Sequence, residues 1–258
     1  MTTRLGSIES TSSTIFRVYP RKKQSVAKPS LVRLKFMEII REDLESASAR
    51  RKIINQLSLA LSQGLLIIAP IAQGYAYICD GRSNFAVGRV REIKGYDSSV
   101  PLVNLVYGPK QIEQYCDSLT SEQIKLLQKF ALGPLVIERE SQAQLRFSFG
   151  SRLLPDKLLF AQASNPIMKS LCRKVGPLAF SPLMTNSGEE RHILTDLTTL
   201  PEESAQNASF FLHVNQDSWS KAKSTLIAMR GVEVVIRKIG DITESSIREI
   251  VPRAKVEL

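Results

Sequence analysis

After about residue 45, segments with helical spacing alternate with short apolar runs, and this alternation restricts the possible folds more than any other feature. "RRKIINQLSLALSQG" places Ile53, Ile54, Leu57, Leu59 and Leu61 on a broad apolar face, and Gly64 suits a helix stop. An apolar run, residues 65–69, follows at once and reads as a buried strand. It ends at Pro70, where a loop should present side chains, but that loop offers only Ile71, Ala72, Gln73 and Gly74. "NFAVGRVREIKG" is helical and closes on Gly95, and "PLVNLVYG" is a strand. Thr120 to Gln123 form a capping box ahead of Ile124, Leu126, Leu127 and Phe130. "GPLVIERE" is a strand, "NPIMKSLCRKVG" a helix with Pro166 in its first turn, and "PLAFSPL" a strand leading into a polar loop. "ASFFLHV", "STLIAM" and "VEVVIRKIG" are late strands, and "TESSIREIV" is a last helix. Such a chain predicts one α/β domain, residues 45–258, around a twisted mixed sheet flanked by helices. "LVRLKFMEIIREDLESA" reads as an amphipathic helix leading into it, with Leu34, Met37, Ile40 and Leu44 on one face.

Charge separates the first residues from the rest. Of the net +10, residues 1–35 hold +7, from eight Lys/Arg against one Glu. This Ser/Thr-rich stretch lacks sustained periodicity, so residues 1–44 read as a basic, disordered extension entering a helix. Three readings stand side by side: a phosphate-binding arm, an organelle-targeting peptide, and a solvated tail without a role. No apolar stretch approaches the roughly 20 residues of a membrane span, so no membrane association is expected. Three scattered cysteines and two histidines, Cys79, Cys116, Cys172, His192 and His213, have neither disulfide nor zinc-site spacing. They predict a reducing, cytoplasmic setting and no tightly bound metal.

General catalytic signatures are missing. The chain has no GxxxxGK[ST] loop, GxGxxG fingerprint, GxSxG elbow or HExxH helix. Lys94 lies at a helix end, where a cation either stabilises its own helix dipole or reaches a bound phosphate. Ser224, Thr225 and Arg237 are further potential phosphate partners.

"YAYICDGRSNFAVGRVREIKGYDSSVPL" resembles the YrdC-like family of threonylcarbamoyl-AMP synthases, with Pro70, Tyr75, Asp80, Lys94, Pro101 and Leu102 in register. "FALGPL", "KVGPLAFSPLMTNSG" and "KSTLIAMRGVEVVIRKIGDI" resemble later family segments, in order and with matching spacing. The resemblance implies a sheet enclosing a basic cavity. It also implies a reaction joining L-threonine, bicarbonate and ATP with Mg2+ into threonylcarbamoyl-AMP and pyrophosphate, for N6-threonylcarbamoyladenosine in tRNA, with RNA as a further partner. It assigns catalysis to Lys94, nucleotide or anion binding to Lys94, Ser224, Thr225 and Arg237, and a cavity wall to Tyr75.

The departures are as informative. Ile71, Ala72 and Gln73 stand where the family has threonines and an acid, Ala76 replaces a glycine, and Tyr96 replaces an arginine. The family's Ser-Ala-Asn falls on Pro182, Leu183 and Met184, or on Leu183, Met184 and Thr185 with one residue inserted; a further family arginine has no clear equivalent, and Asn186, Arg152 and Lys223 are candidate replacements. A phenol does not reproduce the charged donor fork of a guanidinium. Three functions follow as expectations: a synthase homologue with reduced or lost catalysis, a non-catalytic RNA- or nucleotide-binding paralogue, and a protein-interaction scaffold.

Overall fold

Helix boundaries in the computed structural model follow local chemistry. The model describes residues 37–41, 46–142, 157–187, 190–215 and 219–257. The basic tail and Arg152 therefore lie outside the described residues. In chain order the first elements are β1 (Glu38–Arg41), α1 (Ala47–Ser62), β2 (Ile67–Ile71), β3 (Gly74–Asp80), α2 (Asn84–Lys94), β4 (Val103–Val106) and α3 (Pro109–Ile112). There follow α4 (Ser121–Lys129), β5 (Leu135–Glu140), β6 (Lys157–Gln162), α5 (Pro166–Lys174), β7 (Leu178–Pro182), β8 (Met184–Ser187) and β9 (Glu190–Ile193). The last are α6 (Glu202–Asn207), β10 (Phe210–His213), β11 (Thr225–Arg230), β12 (Glu233–Lys238), α7 (Glu244–Arg248) and β13 (Lys255–Val256).

Each longer helix starts where a short polar side chain accepts an otherwise unpaired backbone N–H. Ser46 caps α1, Ser83 caps α2, and Asn165 caps α5 just before Pro166. Thr120 and Gln123 form the expected capping box on α4. Gly95 ends α2 at φ 62°, in the left-handed region that glycine adopts without a Cβ penalty.

Eleven strands form one mixed sheet, in the order β1-β10-β2-β3-β7-β4-β6-β5-β11-β12-β13. Its middle is apolar because helices cover it: every residue of β2 and β3 is buried. The core has two parts. One packs α1, α2 and α5 against β2, β3 and β7, including Leu57, Leu61, Ile67, Ile78 and Leu171. The other packs α4 and α7 against β5, β6, β11 and β12, including Leu127, Ile137, Phe160 and Ile247.

The structure departs from the sequence reading at several points. Glu38–Arg41 is a strand parallel to β10, not part of a helix, because pairing with Phe210–His213 supplies its backbone hydrogen bonds. Sheet structure thus begins ahead of residue 45. Leu59, assigned to the apolar face of α1, is 61% exposed. The strand before Pro70 continues through it to Ile71 and turns directly into β3. The expected polar loop after β7 contains the β8–β9 ribbon, which pairs Met184 with Ile193.

Candidate functional site

The β2–β3 turn carries the loop where the family resemblance predicts substrate contacts. The turn needs Gly74: its φ is 150°, and a Cβ there would collide with the Leu194 carbonyl and the Ile193 side chain. The segment leading into β11 lies against this tip. Ser220 N–H donates to the Ala72 carbonyl at 3.2 Å. The Gln73 amide donates to Ser224 Oγ at 3.3 Å and to the Ala222 carbonyl at 3.5 Å. The bond to the Ala222 carbonyl needs a donor, which the glutamine NH2 supplies and a carboxylate does not. Tertiary folding therefore joins Gln73 and Ser224 across 151 residues.

Tyr75 follows the tip and is 2% exposed. Its ring lies 4.6 Å from Phe211 and 4.9 Å, edge-on, from Trp219, between ring centroids. Its phenolic oxygen accepts from Val214 N–H at 3.4 Å. Trp219 is in turn held by its indole N–H on the Thr195 carbonyl at 3.0 Å. Tyr75 is thus the buried support under the tip. Trp219 escaped the sequence reading because its neighbours are distant in the chain.

Lys94 is the last residue of α2, as its sequence position suggested. Its Nζ donates to the Pro182 carbonyl at 2.8 Å, and Pro182 pairs with Ala76 of β3. Lys94 is half-buried, and its charge strengthens this bond. Tyr96 docks on the same end of β7: its phenolic oxygen accepts from Ser181 Oγ at 3.2 Å. Ser181 is 1% exposed and pairs with Tyr77. Lys94 and the tyrosine that replaces an arginine are therefore fastened side by side next to β3.

The remaining predicted residues lie on β11, β12 and β8. Thr225 is fully buried, and its hydroxyl both donates to the Ile242 carbonyl at 2.9 Å and accepts from Gly240 N–H at 2.8 Å. It ties β11 to the connection before α7. Arg237 pairs with Glu257 at 2.7 Å, beside the edge strand β13. Asn186 lies in β8 opposite Arg191.

Gln73, Ser224 and Tyr96 supply an amide, a hydroxyl and a phenol, and among the described residues no carboxylate bonds to any of them. Nor do three or more His, Cys, Asp or Glu side chains gather to hold a metal among the described residues. The arrangement can donate hydrogen bonds to an anion, and among the described residues it brings no carboxylate pair to the tip for proton transfer. Among the described residues no helix is long and apolar enough to cross a membrane.

The Sua5/YciO/YrdC family, described as telomere recombination, matches residues 59–240. No curated protein matches the sequence. P. abyssi Sua5 complexed with L-threonine is similar in structure, with a TM-score of 0.65, 17% identity, and coverage of 86% of this chain and 62% of that one. The chain thus spans less than two thirds of that protein. E. coli YciO has a TM-score of 0.61 and 16% identity, with 79% of this chain and 95% of that one covered. Full-length HypF in a phosphate- and nucleotide-bound form has a TM-score of 0.58 and 18% identity, with 72% and 29% covered. At these identities the structural likeness shows a shared fold. The family match covers most of the chain, and the protein belongs to the Sua5/YciO/YrdC family.

Proposed function

We propose that this protein is a diverged threonylcarbamoyl-AMP synthase homologue that binds ATP and L-threonine beside the β2–β3 tip, with catalysis reduced or lost. Support for the ligand class comes from P. abyssi Sua5, which is complexed with L-threonine, and HypF, which binds phosphate and nucleotide. The observation that carries the loss of catalysis is the bond between Gln73 and Ser224. A neutral amide occupies the acid's place and engages the hydroxyl expected to meet the nucleotide. Tyr96, bonded to Ser181, similarly replaces a charged fork with a neutral phenol. Each lost preorganised contact lowers turnover by about 10²–10³-fold.

In this reading Lys94 and Ser224 are the donors to the ligand's phosphate or carboxylate oxygens, and Mg2+ arrives on the phosphates of ATP. Bicarbonate is the third reactant, and the product serves tRNA modification. The three cysteines are buried and free, which suits a reducing compartment such as the cytoplasm.

The test is a pyrophosphate-release assay with L-threonine, bicarbonate, ATP and Mg2+, run beside a thermal-shift titration. The expected result is a rise in melting temperature with ATP and threonine, and turnover below about 1 s⁻¹, the low end of ordinary enzymes. Faster release would overturn the loss of catalysis. An unchanged melting temperature at saturating ligand would overturn binding.

A further inference from the structure

At the other end of β3, about 20 Å along the strand from the tip, lies a cleft of about 370 Å³. That volume falls within the range of about 300–1,000 Å³ for small-molecule sites. Arg82, Tyr107, Gln114, Tyr115, Arg173 and Lys174 line it. Neither Lys94 nor Ser224 contributes.

Its chemistry is that of a cationic, aromatic-walled receptor. Asp80 clamps Arg82 through Nε and Nη2, both at 3.1 Å. The remaining three of the five guanidinium N–H groups have no partner among the described residues. The guanidinium lies against Gly176, where a Cβ would come within 2.9 Å of Nε. Arg82 is therefore preorganised and still has donors to offer. Arg173 stands over the Tyr107 ring at 5.3 Å and makes no ion pair among the described residues. Lys174 donates to the neutral Asn55 side chain at 2.5 Å. Three cations, Arg82, Arg173 and Lys174, thus line the cleft, and Asp80 is bonded to the first of them. Tyr107 and Tyr115 are half-buried, and they add two ring systems to the walls. Burial raises the Tyr115 pKa, while the nearby Arg82 pulls it back.

Arg173 and Lys174 end α5, where cations also offset the helix dipole. That role requires neither the tyrosines nor the Arg82 clamp. We propose that this cleft binds a phosphate-bearing nucleoside unit, with Arg173 and Arg82 holding the phosphate and the tyrosines stacking on the base. Cations give affinity for phosphate, and aromatic faces hold bases without regard to sequence. A free nucleotide and a nucleotide of single-stranded RNA share this chemistry. The site is independent of catalysis at the β2–β3 tip.

The experiment measures binding of labelled AMP and of a short single-stranded oligoribonucleotide to the full chain, with inorganic phosphate as competitor. Arg173 is exposed, so Arg173→Glu should still fold and unfold cooperatively, with a melting temperature only slightly lowered by the reversed charge at the end of α5, while weakening AMP at least tenfold. Tyr107→Leu should weaken it severalfold. AMP should displace the oligonucleotide, and inorganic phosphate should compete far less well than AMP. An oligonucleotide more than tenfold tighter than AMP identifies a strand as the ligand, and equal or weaker binding identifies the free nucleotide. The proposal falls if neither probe binds, if Arg173→Glu binds AMP like the wild type, or if phosphate competes as well as AMP. Loss in Lys94→Met with full retention in Arg173→Glu would place binding at the tip instead, a result that leaves the proposed family-type function standing.

Discussion

The two ends of β3 treat their polar groups in opposite ways. At the tip, Gln73 is bonded to Ser224, Lys94 to the Pro182 carbonyl and Tyr96 to Ser181. At the other end, Arg173 lies over the Tyr107 ring but makes no ion pair among the described residues, and the outer donors of Arg82 find no partner among them, although both line a formed cleft. A donor satisfied internally adds to folding and must give up that bond to meet a ligand. A donor left open adds little to folding and meets a ligand at low cost. The tip shows the first condition, and the separate cleft shows the second.

That contrast makes graded predictions for stability. Thr225→Val should lower unfolding free energy by about 3 kcal/mol in urea titrations, since Gly240 N–H and the Ile242 carbonyl lose a buried partner. A cost below about 0.5 kcal/mol would mean that the hydroxyl is not structural. Lys94→Met should cost about 1 kcal/mol, the value of a part-exposed bond from a charged group. Arg173→Ala should cost about 0.5 kcal/mol, since it loses only an exposed helix-end charge and an exposed ring contact. If Arg173→Ala proved more costly than Lys94→Met, the contrast between the two ends would be reversed.

The buried thiols supply a further check near the cleft. Cys116, next to Tyr115, is pushed up to about 11, and Cys172, at the end of α5, to about 12, both chiefly by burial. A raised thiol pKa means that the unfolded chain loses its proton first, near pH 9. Stability from each buried thiol is therefore intact below that pH and declines as pH rises toward the folded value. The gap in stability between wild type and Cys172→Ala should shrink by about 1 kcal/mol from pH 8 to pH 10. A constant gap would show that the thiol is less protected than its burial implies.

Much of the architecture was readable locally. Thr120 and Gln123, Asn165 before Pro166, and Lys94 beside Gly95 announce helix ends through contacts within a few residues. The strand at residues 38–41 was not readable, because Met37 and Ile40 also fit a helical stripe and the deciding partner, β10, lies some 170 residues away. β3 was partly hidden too. Both faces of "GYAYICD" are buried, so it lacks the alternation that marks a half-exposed strand.

For the candidate site, the chain alone placed Lys94 at a helix end and showed which family side chains are replaced. Residue types and short-range spacing suffice for that, because caps and hydrophobic periods act over one or two turns. The bond from Gln73 to Ser224, the Lys94 bond to Pro182, the burial of Thr225 and the cleft shared by Arg82 and Arg173 were settled only in three dimensions. They depend on which strands lie side by side, and that order follows from the joint burial of apolar faces far apart in the chain.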